Sequence, residues 1–372
     1  MRLVNTLRWR TTACAALGLL AVCAYSVSGQ TATAKSQQGA GPAQLANAAP
    51  YREFTDETGR LVRVPQTVER IVSLAPSLTE TVYALGLQDR LVGDTDYCDY
   101  PPEAQKKTKV GGALNPSIEE VASLHPDVVL VTKNLNRFET VRALDDLKIP
   151  AYATDPHTIE DVMNSTVKLA VVLGATQAGA TLAGELEERL AELQRRVGDL
   201  PARRVLFVVW TEPLITVGKN TFIADALRKA GAISIVDTAQ DWPQISLEEV
   251  VRLQPEFLIV AAHDSASAPA DLEALTARPG WRSLEAVRNR RFAVVSDAVN
   301  RPAPRIVSAI EELARKLHPE AFPETSPSPP SKEKDKPEKD KPVPEANPPG
   351  SARNSLALRR AAVVSEVYSC NR

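Results

Sequence analysis

The chain has 372 residues, 44% of them hydrophobic, and a formal charge of -2. That length exceeds one ordinary domain and suits two, with enough apolar material for sizeable cores. The near-zero charge supplies no basic field, so nucleic acid is excluded as an expected partner.

At the start, Arg2, Arg8 and Arg10 precede the apolar run ACAALGLLAVCAYSV. Residues 1–29 read as a secretory signal peptide, too short for a comfortable membrane span, with small residues for cleavage at Ser26–Gly29 or Ala32–Ala34. The stretch LAVC ending at Cys23 faintly resembles a lipoprotein cleavage box. Val22 fits poorly before the cysteine, which weighs against a lipid anchor there. Cys14 and Cys23 leave with the signal, and Cys98 and Cys370 remain. Export permits those two to pair, but a buried free Cys98 is the preferred expectation. No CxxC or HxxxH spacing occurs and the histidines are scattered, so no metal site and no cofactor are expected.

Residues 30–50, rich in Ala, Gln and Gly, read as a disordered leader. From 51 to 158 apolar runs alternate with helical patterns, which predicts a mostly parallel sheet buried on both faces. RIVSLA is the first strand. PSLTETVYALG follows as a helix, with Ser77 as N-cap, Glu80 completing a capping box and Gly86 ending it. RLVGDT, DVVLVT and IPAYATD supply further strands. From Ile159 to about Val197 the pattern is helical without a proline, and Gly174 marks a kink or break. The stretch 159–201 is therefore expected to join the first lobe to a second, 202–322. There RVLFVVW, FLIVAA and RFAVVSD read as strands, and TFIADALRKAG and APRIVSAIEELARKL as helices. Residues 323–350, rich in Pro, Lys and Glu, have nothing to bury and read as a disordered tail. The closing segment, 351–372, has the pattern of a short helix with no functional account.

One phrase is written twice: PSIEEVASLHPDVVLV from Pro116 and ISLEEVVRLQPEFLIV from Ile245. Each copy has a serine N-cap (Ser117, Ser246), a capping-box glutamate (Glu120, Glu249), a helix-stopping proline (Pro126, Pro255) and a following strand. Glu119 and Glu248 are surplus to that grammar. Either each is a favourable charge at a helix N-terminus, contributing about 0.3–1 kcal/mol, or the two form matched acidic knobs for a partner of two equivalent subunits.

In open parallel sheets, ligands bind beyond the carboxyl ends of the strands. Tyr97 and Tyr100 follow one strand, Lys133, Asn134, Asn136 and Arg137 another. Trp210 follows RVLFVV, Trp242 precedes the second copy of the phrase, and Asp297 and Arg301 follow the last strand. Each admits a plainer reading: a local turn for the tyrosines, a core position for Trp242, and mutual pairing for Asp297 and Arg301. No nucleophile elbow, phosphate loop or metalloprotease helix is present.

RIVSLAPSLTETVYALG, DYCDYPPEAQ, NPSIEEVASLHPDVVLV, DWPQISLEEV and SDAVNRPAPR together resemble the periplasmic substrate-binding proteins of cobalamin and iron-siderophore ABC importers, most of all the cobalamin-binding members, over about residues 54–320. The resemblance implies two α/β lobes joined by one long rigid helix, with a ligand cleft between them. It implies a monomer that delivers its ligand to an inner-membrane permease dimer through Glu119 and Glu248. For corrinoid contact it implies Tyr97, Trp242, Asp297 and Arg301; Trp210 is added from its strand-end position. Cobalamin binders of this type also carry tryptophans near Ala113 and Thr132, where this chain has none. Haem and ferric siderophores therefore stand beside a corrinoid as expected ligands. A different class, an extracytoplasmic enzyme or metal-handling protein, would draw on His157, His263 and Asp264.

Overall fold

Two all-parallel sheets carry the protein. The first has the order β5-β4-β3-β6-β7, built from β3 (Ile71–Ser73), β4 (Leu91–Asp94), β5 (Thr108–Lys109), β6 (Val128–Thr132) and β7 (Ala151–Thr154). The second has the order β11-β8-β12-β13, built from β8 (Arg203–Val208), β11 (Ala232–Ser234), β12 (Phe257–Ala262) and β13 (Phe292–Ser296). An antiparallel hairpin, β1 (Tyr51–Thr55) with β2 (Leu61–Pro65), packs on the first lobe, and a two-residue pair, β9 (Trp210–Thr211) with β10 (Leu214–Ile215), follows β8. The computed structural model describes residues 51–262, 272–273 and 276–323. The signal, leader, tail and closing segment, with Cys23, Cys370, His263 and Asp264, lie outside the described residues.

Every residue of β6 and β7 is buried, as expected of strands covered on both faces. Both sheets reverse strand order at their centres. β3 has β4 on one side and β6 on the other; β8 has β11 and β12. The crevice at such a reversal is where an open α/β sheet receives a ligand.

Helix α1 (Pro76–Ala84) departs from its expected start. Its N-cap is Ala75, and Pro76 opens the first turn, where a missing N–H costs nothing. Ser77 is inside the helix, so Glu80 is not a capping-box carboxylate. Gly86 ends the helix as expected, with φ +72 and the Leu87 N–H bonded back to the Val82 carbonyl at 3.0 Å.

The long helical stretch is two helices. Between α4 (Ile159–Val172) and α5 (Thr176–Val197) stands Gly174 with φ +76, a left-handed backbone that ends a helix. They fold into a hairpin: a Cβ added at Gly179 would lie 2.3 Å from the Ala170 Cβ. Both helices pass between the lobes. Ala175, just before α5, packs on the first lobe's core, and Leu186, Leu193 and Val197 of α5 lie in the second lobe's core. In α4 the first residues, Ile159 and Val162, lie in the second lobe's core, and Leu169, Ala170 and Val172 lie in the first lobe's core. The length of α4, about 21 Å, sets the span. Charges of the correct sign anchor both ends. Asp225, on α6 (Phe222–Lys229), accepts from the Ile159 N–H at 2.9 Å, while Arg52 donates to the Val171 and Val172 carbonyls at 2.9 and 2.7 Å. Positive charge at a helix C-terminus and negative at its N-terminus both oppose the helix dipole.

The two copies of the repeated phrase fold alike. In α2 (Ile118–Ser123) and α7 (Leu247–Leu253), Ser117 and Ser246 accept from the Glu120 and Glu249 N–H groups, each at 3.2 Å. Both helices end at a left-handed residue before proline: His125 at φ 45 and Gln254 at φ 44. The carboxylate half of the second capping box is replaced, since Glu249 grips Arg252 at 2.5 Å.

Candidate functional site

Residues beyond the strand tips of the two lobes meet in one cluster of ion pairs. From the second lobe, Asp297 and Arg301 follow β13, and Arg305 stands at the N-terminus of the last helix, Ile306–Leu317. From the first lobe come Glu80 on α1 and Asp99 in the loop after β4. Arg301 Nη1 lies 2.8 Å from Glu80 and 2.7 Å from Asp99, and Arg301 Nη2 lies 3.1 Å from Asp297. Arg305 forks onto Glu80, Nε to Oε2 at 2.9 Å and Nη2 to Oε1 at 2.8 Å. Its guanidinium also lies over the Tyr100 ring, 3.8 Å from the centroid, close enough for a cation–π contact. The Glu80 side chain is only 2% exposed, and those of Arg301 and Arg305 15% and 19%. Burial works against the charge on Arg301, but Asp99, Asp297 and Glu80 outweigh it and hold the guanidinium firmly protonated.

Asp297 and Arg301 therefore do pair with each other, and they are brought together with residues of the opposite lobe as well. Tyr97 is half-buried after β4, its ring 3.8 Å from where a Cβ on Gly112 would stand. Trp242 is half-buried against the second lobe's core. Its loop is held down by the Gly218 N–H on the Asp241 carbonyl at 2.8 Å and the Thr216 N–H on the Pro243 carbonyl at 3.1 Å. Trp210, also half-buried, turns its Nε1–H onto the Glu212 carbonyl at 2.8 Å. The Trp210 Nε1–H is thus spent within its own turn, and the Trp242 carbonyl accepts from the Gln240 side chain at 3.4 Å. Glu119 and Glu248 are both exposed, in the first turns of α2 and α7. The Glu248 carboxyl is held below its ordinary range by its own backbone N–H and by the Ser246 hydroxyl.

The loop that carries Tyr97, Asp99 and Tyr100 is stapled from beneath. Lys109, on the edge strand β5, pairs with the buried Asp94 at 2.7 Å and also donates to the carbonyls of Thr95, Cys98 and Ala104 at 3.2–3.3 Å. Burial pushes Asp94 up to about 6, against the pull of Lys109. Cys98 is a free buried thiol with the hydroxyls of Thr79 and Thr95 each at 3.2 Å.

Of the polar residues after β6, Asn136 is structural. It is buried, donates to the Leu74 and Ala113 carbonyls at 2.9 and 2.8 Å, and accepts from the Thr132 N–H at 2.7 Å. It thus ties together the backbone beyond β3 and β6, at the strand-order reversal. Lys133 pairs with Asp155 at 2.5 Å. Ala113 and Thr132 are buried, so neither position presents a side chain at the surface. Phe138, which opens α3 (Phe138–Asp146), is 71% exposed at this end of the lobe. His157 pairs with Asp155 at 3.3 Å, and among the described residues no group of three His, Cys, Asp or Glu is disposed to hold a metal ion.

Sequence reasoning missed Glu80, Asp99 and Arg305. A charge within the run LTETVYA was a usable signal, because a carboxylate on a buried helix face demands a cation. The four-residue spacing in RPAPR was another, since it points two guanidinia the same way if that turn is helical.

Residues 71–298 match the periplasmic binding protein family. A vitamin B12-binding protein of Vibrio parahaemolyticus is 30% identical over 256 residues, 68% of this chain and 90% of the relative. The crystal structure of a periplasmic vitamin B12-binding protein of Vibrio cholerae superposes with a TM-score of 0.60 at 26% identity, covering 69% of this chain and 99% of that one. A periplasmic haem-binding protein from Roseiflexus sp. RS-1, in its apo form, superposes with a TM-score of 0.62 at 27% identity, over 68% of this chain and 99% of that one. The chain belongs to the periplasmic binding protein family, solute-binding proteins that capture small molecules and work with membrane permeases.

Proposed function

We propose that this protein captures a corrinoid between its two lobes, outside the inner membrane, and delivers it to an ABC permease. The observation that carries the reading is the meeting of both lobes' strand tips at Glu80, Arg301 and Arg305, in a chain that aligns with 90% of a vitamin B12-binding relative. A ligand seated there meets polar groups from both sides at once, with aromatic surface nearby. Such a combination of apolar walls and a few fixed polar groups is what small-molecule sites share. Tyr97, Trp242, Asp297, Arg301 and Trp210 are the assigned ligand contacts, and Phe138 adds an apolar surface that Ala113 and Thr132 do not supply. No bond is made or broken. The protein acts as a monomer, exported by residues 1–29. Glu119 and Glu248 meet a permease of two equivalent subunits.

Titration with cyanocobalamin, followed by calorimetry and tryptophan fluorescence, tests the reading. Heat and a fluorescence change at micromolar ligand are expected. Silence in both, with a response to haemin instead, replaces the corrinoid by haem, the ligand of the Roseiflexus neighbour.

A further inference from the structure

Glu80 is shared by two guanidinia that both come from the far lobe. Buried as it is, it would be costly to keep charged without them. The cluster holds three carboxylates, Glu80, Asp99 and Asp297, against two guanidinia, Arg301 and Arg305. Each guanidinium is already matched within the protein. A ligand carboxylate arriving here would find no uncompensated cation and would meet a like charge at short range in a partly desolvated site, where such repulsion is strong. A ligand amide faces no such conflict. Its N–H groups suit the carboxylate edges, and its oxygen suits guanidinium N–H groups, of which arginine has five.

We propose that Glu80 is a positioning residue that fixes Arg301 and Arg305 from the opposite lobe and makes the cleft select a ligand rimmed by neutral amides over one rimmed by carboxylates. The inference rests on the corrinoid reading of the cleft and adds a basis for discrimination. An arginine pair alone would argue for an acidic ligand; the buried glutamate beneath it reverses that argument.

The test compares two corrins of one ring size, dicyanocobinamide with an amide rim and dicyanocobyrinic acid with a carboxylate rim, and adds haemin, which carries two propionates. Binding is measured to the full chain and to Glu80→Gln, Glu80→Asp and Arg305→Gln. The wild type is expected to prefer the amide corrin by about a hundredfold or more. Glu80→Gln should narrow that ratio at least about tenfold, Arg305→Gln should widen it, and Glu80→Asp should stay near the wild type. A purely structural role moves both corrins together, so an unchanged ratio in all three variants overturns the proposal. Should Glu80→Gln fail to fold, the Arg305→Gln and Glu80→Asp ratios decide alone. If neither corrin binds and haemin does, the corrinoid reading fails, and the role of Glu80 is then read on haemin. Glu80→Gln must tighten haemin about tenfold, and no tightening refutes it. Binding of none of the three to the wild type overturns both readings.

Discussion

Arg305 and Glu80 stand 225 positions apart and on different lobes, yet both carboxylate oxygens of the one meet the guanidinium of the other, at 2.8 and 2.9 Å. The relationship makes the lobe interface partly electrostatic. It also makes it sensitive from either side, because Glu80 is buried and Arg305 largely so, and each would lose its closest counter-charge.

Glu80→Ala is expected to lower stability by about 3 kcal/mol, the low end for breaking a buried ion pair, because Asp99 and Asp297 still face the two guanidinia. Denaturant unfolding gives the loss. A double-mutant cycle with Arg305→Ala should show a coupling of about 1–3 kcal/mol. Strict additivity of the two variants would mean that the pair contributes nothing as a pair.

Asn136→Ala removes the two donors and one acceptor that tie the Leu74, Ala113 and Thr132 backbone together. Buried groups left without partners cost about 1–3 kcal/mol each, so a loss of about 3 kcal/mol in thermal or denaturant unfolding is expected. Ligand affinity should fall with it, since the loops after β3 and β6 lose their common tie. A variant as stable as the wild type would show that water replaces all three bonds without penalty.

Asp94 gives the stability a pH dependence of unusual sign for a carboxylate. Its folded value is raised to about 6 from an ordinary 3.8. Between those values the folded state holds the proton more tightly than the unfolded chain does, so stability falls as pH rises from about 4 to about 6 and is level above. The full effect is about 3 kcal/mol at 1.36 kcal/mol per unit. Comparing the slopes of wild type and Asp94→Asn over pH 4–7 isolates it from the other carboxylates. Equal slopes would mean that Lys109 holds the carboxylate charged throughout.

Glu119→Arg combined with Glu248→Arg should leave cyanocobalamin affinity within about twofold, because both residues are exposed on helices remote in role from the cluster. Uptake in cells dependent on this protein should fall at least about tenfold. Undiminished uptake would remove these residues from the docking surface and return them to the plainer role of charges at helix N-termini.

Much of the architecture was legible along the chain because the rules that set it act over a few residues. The strands β6, β8 and β12 are apolar runs, the serine caps of α2 and α7 precede their helices, and Gly86 and Gly174 end helices with a backbone that other residues resist. The edge strands β5 and β11, of two and three residues, were not legible, since so short a segment carries no periodic signal. Nor was the true start of α1, where Pro76 rather than Ser77 sets the first turn.

The sequence by itself determined the two lobes, the doubled phrase with its two surplus glutamates, and the presence of arginine and aspartate after the last strand. Only the tertiary structure decided that α4 and α5 join the cores as a hairpin, and that Glu80 stands against Arg301 and Arg305. The reason is one of range. Capping, turns and strand pattern are settled by neighbours within about four residues, whereas a buried charge finds its partner through packing that more than two hundred intervening residues must first complete.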